Sequence, residues 1–450
     1  MIHIYSTIDE MHEDVLTCFH ISGKVITQPH HLQHIVIDRL AYSSQFSEPH
    51  TRKEAQRLIW DISHAWGAYS ASIQSLYTAI GKEEVSGFTV PALNVRMFTY
   101  DFAHTIFSLM QQSGVGPLVF ELAISEQEYT SQPPEEFVSS ILAGAIKSGY
   151  TGPVFIQGDH YQFKSAAYTK DKGAELNRIK SVIERSIKSG MYNIDIDGST
   201  LVNLEKKKLA EQQWDNFSVT AELTEYIRSL QPKDITISIG GEIGHIGGKN
   251  STVDDFEAFM DGYQRLLEGK TLKGISKVSV QTGTHHGGVV AADGTLEEVA
   301  LDMSVLKDIS LVARRTYSMG GAVQHGASTL HENIFHAFPD NETLEIHLST
   351  EFQNIAYQHL PTLVKDKMYQ WIAEHLSTEK DADMTQEQFI YATRKKAWGP
   401  FKEYLWKLEP DAKQSFLDHV HSKVSYLCSQ LKVRNTRHIL MKYYDEKYVS

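Results

Sequence analysis

Between Phe88 and Leu360 short apolar runs alternate with longer amphipathic stretches, the pattern of βα units repeated around a parallel sheet. Eight runs follow one another: FTVPALNV from Phe88, GPLVFELA from Gly116, GPVFIQGDH from Gly152, YNIDIDGS from Tyr192, ITISIGGEIG from Ile235, KVSVQTGTHHGG from Lys277, GAVQHGAS from Gly321 and TLEIHLS from Thr343. Helical stretches lie between them, such as Pro134 to Ser148 and Val253 to Leu267, the latter behind the capping candidates Ser251 and Thr252. A doubly wound open sheet would show the same alternation. Closure is favoured by where the polar residues fall: in at least four runs the apolar part comes first and Asp, His, Glu or Gly–Ser ends it. Barrel enzymes gather their chemistry at that rim. The expected fold is α/β, a (β/α)8 TIM barrel over residues 86–363.

The flanks lack such runs. Residues 1–85 read as a helical extension, with Leu58, Ile59, Ile62 and Trp66 at helical spacing in a stretch from Thr51 to Ala79. Residues 364–450 also read as helical, rich in Lys, His and aromatics (RKKAWGPFKEYLWKL, FLDHVHSKVSYL). Both are expected to cover the barrel or to build the interface of a homo-oligomer. No fixed-period repeat appears beyond the βα alternation.

Composition narrows the function classes. Lys plus Arg numbers 43 against 56 Asp plus Glu, a formal charge of −13, which gives no reason to expect nucleic acid as a partner. The two cysteines, Cys18 and Cys428, stand at opposite ends and supply neither a disulfide framework nor a Cys-rich zinc site. A reducing cytoplasm fits. No run reaches the length of about 18 apolar residues that a membrane span needs, and the N-terminus lacks the basic start and apolar core of a secretion signal. A membrane partner is not expected. The chain's 22 histidines stand out, several of them beside glycines in its middle.

Those histidines recur at strand ends. Asp159 and His160 end the third run, Asp197 the fourth, Glu242 the fifth, His285 and His286 the sixth, and His325 the seventh. A lone His at such a place is usually a structural hydrogen-bonding group; recurrence around one rim is the argument for a site. Imidazoles and a carboxylate from separate strands suit Zn2+, or another first-row divalent ion, better than magnesium. The expected ligands are His160, His286 and His325, with Glu242 fourth. His285 and His286 compete because neighbours on a strand face opposite ways; Gly287 and Gly288 leave room beside His286. HHGG at 285–288 and HGAS at 325–328 put bare backbone next to the ligands, where N–H groups can surround a phosphate. The alternative reading of these glycines is that they only permit tight turns.

Together GDH (158–160), DGS (197–199), GEIGHIGG (241–248), THHGG (284–288) and HGAS (325–328) resemble, in order, the motifs of the class II, zinc-dependent fructose-bisphosphate and tagatose-bisphosphate aldolase family. PALNV (91–95) is similar to that family's first barrel strand and IHLSTE (346–351) to its last. The resemblance implies a catalytic aspartate at Asp159, zinc ligands at His160, His286 and His325, the family's glutamate at Glu242, and a supporting or alternative-metal carboxylate at Asp197. It implies substrate or phosphate contacts at Asn94, Gly287, Gly326, Ser328, Ser349 and Thr350, with His347 where the family has a donor-binding asparagine. Departures accumulate in the substrate frame: Gln157 opens the third-strand motif, Ala123 replaces a serine, and Ser349 replaces an aspartate. Val289 and Val290 stand where the family has Lys or Tyr–Lys, and Lys249–Asn250–Ser251, with Asp254 and Asp255 the nearest acids, replaces a carboxylate-rich loop.

The activity implied is a lyase reaction, reversible aldol cleavage of a ketose (bis)phosphate through a zinc-stabilised enediolate, as in glycolysis and other carbohydrate metabolism. Two alternatives remain: a sugar or uronate epimerase using the same metal, and a non-catalytic aldolase-like subunit. No G-x-G-x-x-G turn or G-x-S-x-G elbow points to a Rossmann dehydrogenase or a serine hydrolase.

Overall fold

A computed structural model describes residues 2–22, 25–27, 33–244, 249–283 and 301–444. Near the N-terminus β1 (His20–Ser22) and β2 (Val25–Thr27) form an antiparallel hairpin. Next comes β3 (Ala68–Ala71), followed by β4 (Val90–Asn94), β5 (Val119–Ala123), β6 (Gly152–Gln162), β7 (Asn193–Asp197), β8 (Ser238–Glu242), β9 (Lys277–Val280), β10 (Gly321–Gln324) and β11 (Glu345–Leu348). Strands β4 to β11 run parallel in sequence order. β11 pairs with β4, and β6 with β7, so the sheet closes into an eight-stranded barrel. Each of the eight runs read from the sequence overlaps one of these strands, β6 alone extending two residues beyond its run.

The helices between them follow local chemistry. Pro134–Ser148 begins at a proline, whose missing N–H costs nothing at a helix start. Val253–Leu267 is opened by Thr252, whose hydroxyl accepts from the Asp255 N–H while Asp255 accepts from the Thr252 N–H, a reciprocal cap. Asp255 is thereby committed to the helix start.

The N-terminal flank departs from a continuous helix between Thr51 and Ala79. A helix spans Pro49–Trp66 and stops at Gly67, whose φ of 95° suits a residue without a Cβ. The chain then enters β3, which pairs in parallel with the first residues of β6. A helix over Gln74–Gly81 follows. The Asn193 side chain ties this segment to the barrel, accepting from the Ile73 N–H at 2.8 Å and donating to the Ala71 carbonyl at 3.1 Å. Periodicity could not show this short strand, because its four residues are all buried and carry no alternation.

The C-terminal flank wraps the barrel. Its longest helix, Pro410–Gln430, packs on the helices Thr99–Ser113 and Thr350–His359. The last described residues reach the opposite end, where Arg437 bonds the Thr151 carbonyl and Tyr444 donates to the Ser72 carbonyl at 2.8 Å. Buried residues of both flanks, among them Met11, Leu40, Trp398 and Leu427, belong to one apolar cluster with the barrel. No described helix is long and apolar enough to cross a membrane.

Candidate functional site

The strand ends converge as the motif positions require. In β6 the register against β7 shifts between Gly158 and Tyr161, so that Asp159 and His160 together face Asp195 alone. This β-bulge lets two consecutive residues turn toward the mouth, which a regular strand forbids. His160 has φ of 42°, a left-handed conformation costly for a side-chain-bearing residue. Gly158 is required beside it, because a Cβ there would overlap the Tyr161 ring.

His160, Glu242 and His325 each offer a ligand atom within 4.8 Å of the others. His160 Nδ1 lies 3.0 Å from Asp197 Oδ2 and 3.2 Å from Glu242 Oε2. The His325 ring packs edge-on against His160 at 4.3 Å between centroids and stacks on His347 at 4.2 Å. Its Nε2 is 2.8 Å from the Ser279 hydroxyl. His285, His286, Gly287, Val289 and Val290 lie outside the described residues. Asp197 is fixed by the N–H and hydroxyl of Ser199, at 3.0 and 2.6 Å, and by the Gln162 amide at 2.6 Å. It therefore helps to fix the orientation of the His160 ring through Nδ1.

Asp159 and His347 form the neighbouring pair. His347 Nδ1 is 3.3 Å from Asp159 Oδ1 and 3.0 Å from Glu121 Oε2, and its Nε2 is 2.6 Å from Glu345 Oε1. Burial works against a charged His347, but Glu121 and Asp159 outweigh it and raise its pKa well above the ordinary imidazole range. Burial would likewise raise the Asp159 carboxyl, yet His160, His347 and His325 hold it well below the usual carboxylate range. Glu242, pushed up to about 8 by burial and then by Asp197, is the carboxyl most in need of a cation.

Below this layer the barrel interior is charged. Lys277 lies 2.9 Å from Asp195 Oδ2, bonds Gln157 Oε1 at 2.8 Å and contacts Glu345, which also accepts from the Tyr77 hydroxyl. Gln157 donates to Glu121 at 3.1 Å. Reading from residue types at strand ends missed Glu121, Asp195, Lys277, Glu345 and Tyr77. The signal for most of them was the alternation in NIDID, KVSV and EIHL, where every second residue is polar and the apolar partners pack outward.

The remaining expected residues lie around the mouth. A cavity of about 480 Å³ is lined by His160, Gln162, Ala123, Ser349, Thr350 and Gln353, by Arg96 and Glu126, and by Tyr391 and Lys395 from the C-terminal flank. The Asn94 amide donates to Glu126 Oε2 at 2.6 Å and accepts from Arg96 Nε at 3.1 Å, so it braces that ion pair. Gly326 follows His325 with φ of 71°. The Ser328 hydroxyl accepts from the Ser349 N–H at 2.7 Å, joining the HGAS turn to the last strand.

Carboxylates of Glu121, Asp159, Asp195, Asp197, Glu242 and Glu345 thus share the barrel interior, faced at depth by Lys277. Two imidazoles and a glutamate whose ligand atoms lie within 4.8 Å of one another, set above this acidic floor, match the donor preference of a first-row divalent cation.

No curated protein sequence matches the chain. Among solved structures, the fructuronate–tagaturonate epimerase UxaE of Cohnella laeviribosi, crystallised with glycerol, superposes with a TM-score of 0.56 at 9% identity, over 95% of this chain and 91% of that one. Both flanks therefore belong to a shared fold. A putative fructose-1,6-biphosphate aldolase of Coccidioides immitis (TM-score 0.47, 16% identity, 81% of this chain and 97% of that one) is also similar. So is the YdjI aldolase of Escherichia coli K12 (0.44, 15%, 76% and 99%). The sequence profile of fructose-bisphosphate aldolase class-II matches residues 75–400, most of the chain, and the protein belongs to that family.

Proposed function

We propose that the chain is a metal-dependent lyase catalysing reversible aldol cleavage of a ketose (bis)phosphate. The observation that carries this reading is the meeting of His160, Glu242 and His325 beside an ionised Asp159. His160, Glu242 and His325, joined by His286, would hold a zinc or similar ion. Bound there, it supplies a Lewis acid that polarises the ketone and offsets the charge left when the carbon–carbon bond breaks. Asp159, kept as a carboxylate, accepts the proton of the hydroxyl beyond that bond. His347, held cationic 3.3 Å away, keeps Asp159 ionised until it takes up that proton. Asp197 keeps the His160 ring in orientation through Nδ1. Ser349, Thr350 and the N–H groups near Gly326 and Ser328 are assigned to the substrate's phosphate end. A homo-oligomer in the cytoplasm remains part of this reading.

A second reading, a uronate or sugar epimerase, is favoured by the likeness to UxaE along nearly the whole chain, flanks included, and by the altered substrate frame. The deciding experiment is an aldehyde-trapping assay combined with product analysis on the zinc-loaded protein, using fructose 1,6-bisphosphate, tagatose 1,6-bisphosphate and unphosphorylated ketoses and ketouronates. A trapped aldehyde supports cleavage; an epimer without it supports the second reading. Absence of both, with metal bound, overturns the proposed chemistry.

A further inference from the structure

The mouth of the barrel is completed by a residue outside the βα units. Lys395 sits in the 3-10 turn Arg394–Ala397 and lines the same cavity as His160. That turn is clamped on both sides. The indole of Trp398, 1% exposed, donates to Gln353 Oε1 at 3.1 Å. The Arg394 carbonyl accepts from Tyr357 at 2.7 Å, and the Gly399 N–H donates to the Tyr129 carbonyl at 3.0 Å. Gln353 also accepts from Arg96, so the turn and Arg96 share an anchor.

The charges around Lys395 are incompletely matched. Arg96 is paired with Glu126 at 2.6 Å, whereas no carboxylate of a described residue lies within 4.0 Å of the Lys395 ammonium. That ammonium stands 6.0 Å over the Tyr129 ring. Lys395 is solvent-exposed, and with Arg96, Lys164 and Arg178 it lines a cavity of about 480 Å³ that also holds Glu126, Glu128 and His160; this excess of cations suits an anion on a chain that reaches the strand ends.

We propose that Lys395 is a specificity-determining residue which, with Arg96, holds a terminal oxyanion of the substrate, a carboxylate or a phosphate, at the end remote from the reacting carbons. This rests on the ketose reading above and adds to it a residue from outside the βα units that selects the far end of the substrate.

The test is calorimetric titration with D-gluconate, D-sorbitol 6-phosphate and neutral D-sorbitol, which lack a ketone and cannot react. The full-length wild type, Lys395→Met and Lys395→Arg are compared, with thermal unfolding confirming that each is folded. Wild type should bind one of the two anions at least about tenfold more tightly than sorbitol, the scale of one charge-assisted contact. The anion preferred identifies the group as carboxylate or phosphate. Lys395→Met should abolish that preference and Lys395→Arg should retain it. Equal binding of all three polyols, or a preference that survives in folded Lys395→Met, would overturn the proposal. A Lys395-dependent preference in a protein that transforms no ketose would instead sink the aldol reading and leave the anion seat intact.

Discussion

Asp159 owes its assigned role to its surroundings. A carboxyl buried to 4% exposure is ordinarily pushed toward neutrality, yet the imidazoles around it keep this one ionised. Replacing it by Ala is expected to lower turnover by about 10²–10⁴-fold while elemental analysis shows unchanged metal content; parallel loss of metal would show that it serves the ion. Two deeper carboxyls behave oppositely. Burial and then Asp159 raise Glu121 from 4.5 to about 7. Burial also raises Asp195 from 3.8 to about 6, against the pull of Lys277 and with Glu345 adding to the rise. The folded state holds these protons more tightly than the unfolded chain. Their contribution to stability is therefore complete below pH 3.8–4.5 and is lost as pH rises toward 6–7. Glu345 is lowered to about 2, so its contribution is present above pH 4.5 and lost only as pH falls toward 2. In chelator, the thermal midpoint should fall between about pH 5 and pH 7, and Glu121→Gln should reduce that slope. A midpoint that rises across this interval would contradict the assignment.

At the level of elements, the bulge in β6 makes the site. Without the extra residue, Asp159 and His160 would face opposite sides of the sheet. Gly158→Ala places a methyl group against the Tyr161 ring, which itself contacts Ser186. The expected cost is about 1–3 kcal/mol of stability, read by urea denaturation, together with weaker binding of added zinc, on the proposed metal reading, as the ring of His160 is displaced. Full retention of metal binding would show that the bulge tolerates the change. Each barrel strand was legible because βα alternation and glycine punctuation are local signals. That His160, Glu242 and His325 gather at one rim was legible because His and Glu recur at strand ends. The bulge, β3 and the charged barrel floor were not read. A bulge depends on the register of a partner strand, and Tyr77 reaches Glu345 from a helix 268 positions away in the chain.

At the scale of the molecule, barrel and flanks form one apolar core, and the cavity over the strand ends is completed by Tyr391 and Lys395 from beyond the barrel. Ending the chain after Leu360 would strip Trp398, Trp406, Phe416 and Leu427 from that core. The truncated protein is expected to lose cooperative unfolding, as measured by circular dichroism on heating; a sharp transition near the wild-type midpoint would show that the barrel folds alone. The amino-acid sequence by itself determined the order of the βα units, the rim at which polar side chains collect, and the residue types able to grip a cation. These follow from patterns a few residues long. Tertiary structure alone decided that Asp159 and His160 face the same way, that His347 is held as a cation among three carboxylates, and that a C-terminal turn supplies a lysine to the mouth. Those depend on burial and on distances between remote segments, which exist only once the chain has closed on itself.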